Sequence, residues 1–323
     1  MLEQDVGADA RGLPGTRALA SLERPGLLIV VNGGAQNFKL EPPRLARLFN
    51  QGVADAARDA RAVVTAAGTD AGVSKLVASA MEKGNIKQAV IGFAPFGRIL
   101  GGKELLGKVE GGSVAYSHLP ANKDKGQAAP LNPDHTNLIL VESPGNEWGS
   151  ESKLRAELEA EYAQRMKVPI VGLAVQGGPG TVQMLYENAL RQTPCVVVAQ
   201  SGGASTELWE YFKSDQRGAP ELPRFPSGHK HAGKPKYQAS PTLNWFAEIL
   251  KRHKECGGLL VIFYDIDGEV EDLSHCLLKA VVDLKLLDFK TRKAAAIGQG
   301  GTALQALETE AAQVDGALGG EVS

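Results

Sequence analysis

Cysteine is scarce in this chain: Cys195, Cys256 and Cys276 are the only three in 323 residues, and they are far apart. That excludes a disulfide scaffold and offers no paired spacing for a metal; no metal site is expected, and a reducing, cytoplasmic location fits. Charge of one sign is equally lacking. Lys plus Arg number 35 against 37 for Asp plus Glu, a net charge of −2, so the balance supplies no general electrostatic case for a nucleic-acid partner. Aromatics are only 6%. Long hydrophobic runs are missing too: the longest, 27–31 and 257–263, are strand-length against the roughly 20 residues that span a bilayer. The opening MLEQDVGADARGLPG lacks the charged-then-apolar order of a secretory leader, and Glu3, Asp5, Asp9 and Glu23 argue against a transit peptide.

What is abundant is glycine, 38 residues, set at the ends of short aliphatic runs. Strands are expected at 27–31, 62–66, 89–94, 137–142, 170–175, 195–199 and 259–264, from their β-branched and aliphatic content. Helical patterns fall at 43–61, 72–83, 151–166, 181–191, 206–213, 242–256 and 273–287. Continuous apolar strands alternating with helices imply an α/β fold, a Rossmann-like, doubly wound, mostly parallel sheet covered on both faces. Residues 1–24 read as an N-terminal extension, 25–290 as the domain, and 291–323 as a tail, either a loosely held helix or disordered. Gly97 to Asn137 reads as a long loop, and 214–241 as a mobile basic insertion.

The glycines stand where ligands collect in such sheets, at the carboxyl ends of strands. Val31-Asn32-Gly33-Gly34-Ala35-Gln36-Asn37 follows the first strand, and Gly68-Thr69-Asp70-Ala71-Gly72 follows the second. Gln176-Gly177-Gly178-Pro179-Gly180-Thr181 leaves a strand and opens a helix, and Gln200-Ser201-Gly202-Gly203 does the same after the next strand. Unpaired amides and the positive end of a helix dipole make such a turn a site for phosphate. Neither the dinucleotide fingerprint nor a Walker A lysine is present. A helix cap at Thr69 or Asp70 explains the second turn equally well; the four turns together favour a nucleotide-shaped ligand.

These segments resemble the N-terminal region of the melastatin-type TRP (TRPM) channels, a SLOG fold related to the Lonely Guy hydrolases and the DprA group. The resemblance rests on NGGAQNF, TAAGTDAGVSKLV, IGFAPFGRI, DHTNLILVESPG with WGSESKLRAELE, VPIVGLAVQGGPGTV and CVVVAQSGGAS, in the family's order, and returns weakly at GGLLVIFYDIDGEVEDL. It implies a nucleotide-sensing module that binds an ADP-ribose-like ligand without turnover and needs no cofactor. The ligand residues it implies are Gly33, Gly34, Asn37, Gly68, Gly72, Arg155, Gly178, Gly180, Thr181, Ser201 and Gly202, with Lys75 nearby. A guanidinium at Arg155 could grip a pyrophosphate bidentately, or be an ordinary solvated helix arginine. Where family members often carry an arginine after the last turn, this chain has Gly203. A homo-oligomer or channel-type assembly is a further implied partner; a purely structural assembly domain is an alternative.

Lonely Guy hydrolases place a glutamate three residues beyond the threonine of their glycine turn, where this chain has Met184. Glu187 is a weak substitute, about 4.5 Å further along the axis and rotated by about 60°, beyond reach for general acid–base work. A phosphoribohydrolase is therefore the second reading. His229-Lys230-His231 reads as a solvated loop, and Asp265-Ile266-Asp267-Gly268-Glu269 as an acidic helix cap. Lys213, Arg217, Arg224, Lys230, Lys234 and Lys236 outnumber Asp215 and Glu221 around the insertion, which either folds over an anionic ligand or is a solvated loop.

Overall fold

The computed structural model describes residues 24–35, 43–102, 128–143, 147–265 and 272–299. Asn37, most of the acidic 265–269 turn, the first 23 residues and the tail beyond 299 lie outside them. Seven parallel strands form one sheet: β1 Leu28–Gly33, β2 Val63–Ala67, β3 Val90–Pro95, β4 Asn137–Val141, β5 Ile170–Val175, β6 Cys195–Val198 and, at the far edge, β9 Val261–Tyr264. A separate two-stranded hairpin, β7 Gln238–Ser240 with β8 Leu243–Asn244, lies in the insertion. The strand order is β4-β3-β2-β1-β5-β6-β9. The chain adds strands in one direction from β1 to β4, then returns to place β5 on the other flank of β1. Order therefore reverses between β1 and β5, where a doubly wound sheet opens a crevice at its carboxyl edge.

The central strands are mostly apolar because both faces are covered, whereas the edge strand β4 is only partly covered. Ile29, Val31, Val64, Leu173 and Val196 point to one face. Packed there are α1 (Pro43–Arg47), a π-helical turn (Leu48–Val53), α2 (Ala54–Asp59), α3 (Gly72–Lys83) and α8 (Asp272–Gln299). Leu28, Val30 and Phe93 point to the other face, against α4 (Ser152–Met166). Ala174 and Val197 on that face meet α5 (Pro179–Leu190), α6 (Gly203–Gln216) and α7 (Trp245–Glu255). Burial of each large aliphatic side chain contributes about 1.5–3 kcal/mol relative to leaving it exposed.

Several boundaries differ from expectation. The helix expected at 43–61 is interrupted by the π turn, whose extra residue lets Leu48, Phe49, Gly52 and Val53 all be buried. The α6 helix begins at Gly203 and α8 runs unbroken to Gln299, across the expected domain edge at 290. The long loop is partly organised: Leu100 donates to the Ala129 carbonyl, Asp70 to Pro130 and Asn132 to Gly68. The basic insertion carries the β7–β8 hairpin and a bridge between Arg224 and Pro235. Its end is tied to α6, where Tyr237 Oη donates to Glu207 at 2.7 Å and Lys236 Nζ pairs with the same carboxylate at 2.5 Å.

Candidate functional site

The carboxyl ends of β1 and β5 run in register, Asn32 beside Ala174 and Gly33 beside Val175, and the Gly34 amide donates to the Val175 carbonyl at 3.2 Å. The Asn32-Gly33-Gly34 bend and the Gln176-to-Thr181 bend therefore lie side by side at the strand reversal. Among the described residues of these two bends, unpaired amides are found in the second. No side chain caps α5, Pro179 occupies its first turn, and neither Gly180 nor Thr181 donates its amide to any described residue. A Cβ built on Gly178 or on Gly180 meets nothing within 4 Å. The start of α5 thus combines vacant donors, the positive dipole end and open space.

The other glycines are packing positions. A Cβ on Gly33 would strike Val73 and, at 2.7 Å, the Val175 carbonyl; one on Gly72, at φ +52°, would strike the Gly34 carbonyl. That carbonyl accepts the Val73 amide, so the start of α3 is closed by the first bend. A Cβ on Gly68 would come within 3.0 Å of Leu138 and 3.2 Å of the Gly92 backbone. Gly34 has its amide committed and Gly33 lies in the strand ladder, so the phosphate donors expected of this bend are spent on structure. Lys75 pairs with Asp70 at 3.1 Å.

Gln176 takes φ +54°, uncommon for a side chain with a Cβ. Its amide donates to Ser201 Oγ at 2.8 Å, and its carbonyl accepts from both the amide and the hydroxyl of Ser205. Ser201 Oγ in turn donates to Val198, and the Gly202 amide donates to Thr206 Oγ1 at 2.8 Å. The Ser201 hydroxyl and Gly202 amide expected to meet ligand are committed to this scaffold, which holds the Gln176-Gly177 turn in place. Thr181 is buried with its side chain against Gly177.

Arg155 is not a solvated arginine. Its side chain is 5% exposed, its Nε donates to Glu159 Oε1 at 2.7 Å and its Nη2 to the Val31 carbonyl at 3.2 Å. Thr65 Oγ1 donates to the same Glu159 oxygen at 2.5 Å, and the guanidinium lies 5.7 Å from the Phe93 ring centroid. Next to the Val31 carbonyl stands Asn32, 4% exposed, on the strand face that Leu28 and Val30 present to α4. Neither polar atom of its carboxamide has a hydrogen-bond partner among the described residues. Burying both without partners is costly. Asn32 was not among the expected ligand residues; the only sign of it in the sequence is a polar side chain ending an otherwise apolar strand. Glu151, at the head of α4, also has an unpartnered Oε2, and burial pushes its carboxyl above the ordinary range.

Met184, at the hydrolase glutamate position, is buried, and Glu187 Oε2 accepts from Arg191 Nη1 at 2.7 Å. Among the described residues no cluster of three or more His, Cys, Asp or Glu could hold a metal ion. In the insertion, the Phe225 and His229 rings stack at 4.4 Å and Arg224 Nη1 donates to Gly233 at 2.7 Å, and on α6 Lys213 covers Trp209 at 3.9 Å.

Beyond the Gly68 turn, both ring nitrogens of His135 are buried without partners, and burial holds its pKa at about 4 rather than 6.5, with Arg155 adding to the drop and Asp70 opposing it. Between those values the unfolded chain binds more protons than the folded one. The stability this group contributes is complete above about pH 6.5 and lost as pH falls toward about 4. Urea titrations at pH 7.5 and pH 5 should show a difference for the native chain that is larger, by about 2 kcal/mol, than that for His135→Leu. Equal differences would place the imidazole in water.

The chain matches the family described as SLOG in TRPM over residues 16–219. It is 29% identical over 299 residues to a transient receptor potential cation channel subfamily M member-like 2 of Nematostella vectensis, covering 81% of this chain and 18% of that protein. Against subfamily M member 2 of Rattus norvegicus it is 30% identical over 197 residues, 56% of this chain and 13% of the channel. Against a transient receptor potential channel of Caenorhabditis elegans the figures are 33% over 198 residues, 57% and 9%. The chain spans less than a fifth of the length of these relatives. No described helix is long and apolar enough to cross a membrane.

Proposed function

The chain belongs to the family of SLOG domains in TRPM, and on that premise we propose that it is a nucleotide-binding module that holds an ADP-ribose-like ligand at the β1–β5 reversal without turning it over. The observation that carries this reading is the pairing of two unmet needs at one crevice. The amides of Gly180 and Thr181 lack acceptors at an open helix start, and the Asn32 carboxamide is buried beside the neighbouring strand end with nothing to bond. Phosphate oxygens satisfy the first; a ribose hydroxyl or a base edge, each both donor and acceptor, satisfies the second.

The reading without turnover is supported by the buried Met184 and by the Arg191 pairing of Glu187, the one carboxylate on α5. The relatives are cation channels by name, and the module would serve as a cytoplasmic ligand-sensing part of such an assembly. Thermal shift with ADP-ribose, its cyclic form, AMP and NAD tests the reading. A ligand at 100 times its Kd stabilises the fold by about 2.7 kcal/mol, which raises Tm by several degrees. No shift with any of the four would favour a structural assembly domain, and free base released from a nucleotide would favour the hydrolase.

A further inference from the structure

The head of α4 stands over the end of β1. Glu159 accepts from Thr65, which pairs with Val30 in the sheet, and Arg155 donates to the Val31 carbonyl. Passing from Glu159 to Arg155 therefore moves outward along β1, so α4 runs against the strands. Glu151 keeps the helical backbone, and its carbonyl accepts the Arg155 amide at 2.8 Å. It lies on the same helix face about 6 Å further out, past Val31 and near the level of Asn32 and Gly33. Side chains lean toward the N-terminus of a helix, here toward the carboxyl edge of the sheet. The bend before Glu151 abuts α5: a Cβ on Gly149 would lie 2.9 Å from Gln183 Oε1. Glu151 is thereby set between the end of β1 and the first turns of α5.

Two side chains in this place lack partners among the described residues. Glu151 Oε2 is buried without one, while the amides of Gly149 and of Glu151 itself bond the carboxylate. The Asn32 carboxamide, 4% exposed, leaves both its donor and its acceptor unused. Asn32 belongs to a strand and cannot swing out to water, so the cost of burying these atoms persists until a partner arrives. A vicinal diol is the matching partner. One hydroxyl donates to Glu151 Oε2 and accepts from Asn32 Nδ2, and its neighbour donates to Asn32 Oδ1.

We propose that Glu151 and Asn32 hold the two vicinal hydroxyls of a ribose, a role that rests on a nucleotide phosphate occupying the start of α5. Ribose is joined directly to that phosphate and the base lies one sugar further away, so the bend beside α5 meets the sugar. The pair selects a ribose with both hydroxyls free. An analogue lacking one leaves buried polar groups unpaired, and a phosphate on the same oxygen forces two anions together away from water.

Isothermal titration of the full chain tests this with ADP-ribose and with two analogues, each lacking the 2-hydroxyl of one ribose. One of the two should bind at least about tenfold more weakly than ADP-ribose, and phosphorylation of that same hydroxyl should cost at least about 100-fold. In Glu151→Gln the two amides keep the oxygen of the new side chain, so its NH2 replaces Oε2, and the phosphate penalty should fall to about tenfold. Equal affinity for ADP-ribose and both analogues, or an unchanged penalty in Glu151→Gln, would overturn the proposal. Hypoxanthine in place of adenine should alter affinity by less than about twofold; a loss confined to that analogue would give the pair to a base edge and overturn it. Asn32→Val separates this role from a structural one. Removing unbonded polar atoms from the strand should raise the Tm of the ligand-free chain by about 2 °C while weakening ADP-ribose about tenfold. A lower Tm would overturn the proposal. Failure of the native chain to bind ADP-ribose would remove the nucleotide reading itself, whereas native binding without discrimination would remove the diol alone.

Discussion

Gly180→Glu should weaken nucleotide binding at least about 100-fold while leaving the fold intact. A Cβ at this position meets nothing within 4 Å, and an acidic side chain in the first turn is favourable for the helix itself. The same carboxylate would lie over the amides of Gly180 and Thr181 that no described group uses. It would compete for them and repel a phosphate; losing one or two charge-assisted hydrogen bonds costs about 3 kcal/mol, equivalent to about 100-fold in Kd. Gly180→Ala, equally open, should bind nearly as the native chain does. Gly203→Ala should behave in the opposite way. Its φ of +56° and the Gly177 carbonyl in the path of a Cβ predict a loss of about 1–3 kcal/mol in stability. Calorimetry and thermal melting of the three variants separate the outcomes: undiminished affinity in Gly180→Glu would remove the phosphates from α5.

Arg155→Met should destabilise the fold by about 3–5 kcal/mol, because it strands the Glu159 carboxylate in a buried site. The Glu159 side chain is 1% exposed, its Oε1 is shared by Arg155 and Thr65, and its Oε2 has no partner. Adding Glu159→Leu to Arg155→Met removes the stranded charge and should recover most of the loss, since well-packed apolar replacements of a buried pair are often neutral. Urea denaturation reads the cost in each variant. The double variant also decides what Arg155 does beyond folding. A stable double variant with native nucleotide affinity makes the guanidinium a support for the β1 strand end through the Val31 carbonyl; one that no longer binds makes it a ligand group.

Much of this architecture is readable one residue after another. Uninterrupted apolar strands such as Leu28–Val31 and Val171–Val175 alternate with helical periodicity, which suffices for a parallel sheet with two covered faces. The glycine turns mark the carboxyl edge for the same reason: close backbone approach is a local demand. What a glycine is for was not legible. Gly33, Gly72 and Gly178 look alike in the sequence, yet the first two are filled by Val73 and the Gly34 carbonyl, while the third faces open space. Likewise Arg155 reads as a helix arginine, and only its placement over β1 and β2 reveals the buried pair with Glu159.

The sequence by itself determined the strand and helix alternation, the family and the location of the glycine turn that opens α5, because propensity, turn chemistry and dipole are properties of neighbours along the chain. Tertiary structure alone decided that β5 returns beside β1, that Asn32 is buried without a partner among the described residues and that the amide of the first bend is consumed by Val175. Each of those depends on which segment comes to lie against which, across separations such as the 141 residues between Gly34 and Val175, and hydrogen-bond satisfaction is settled only by that contact.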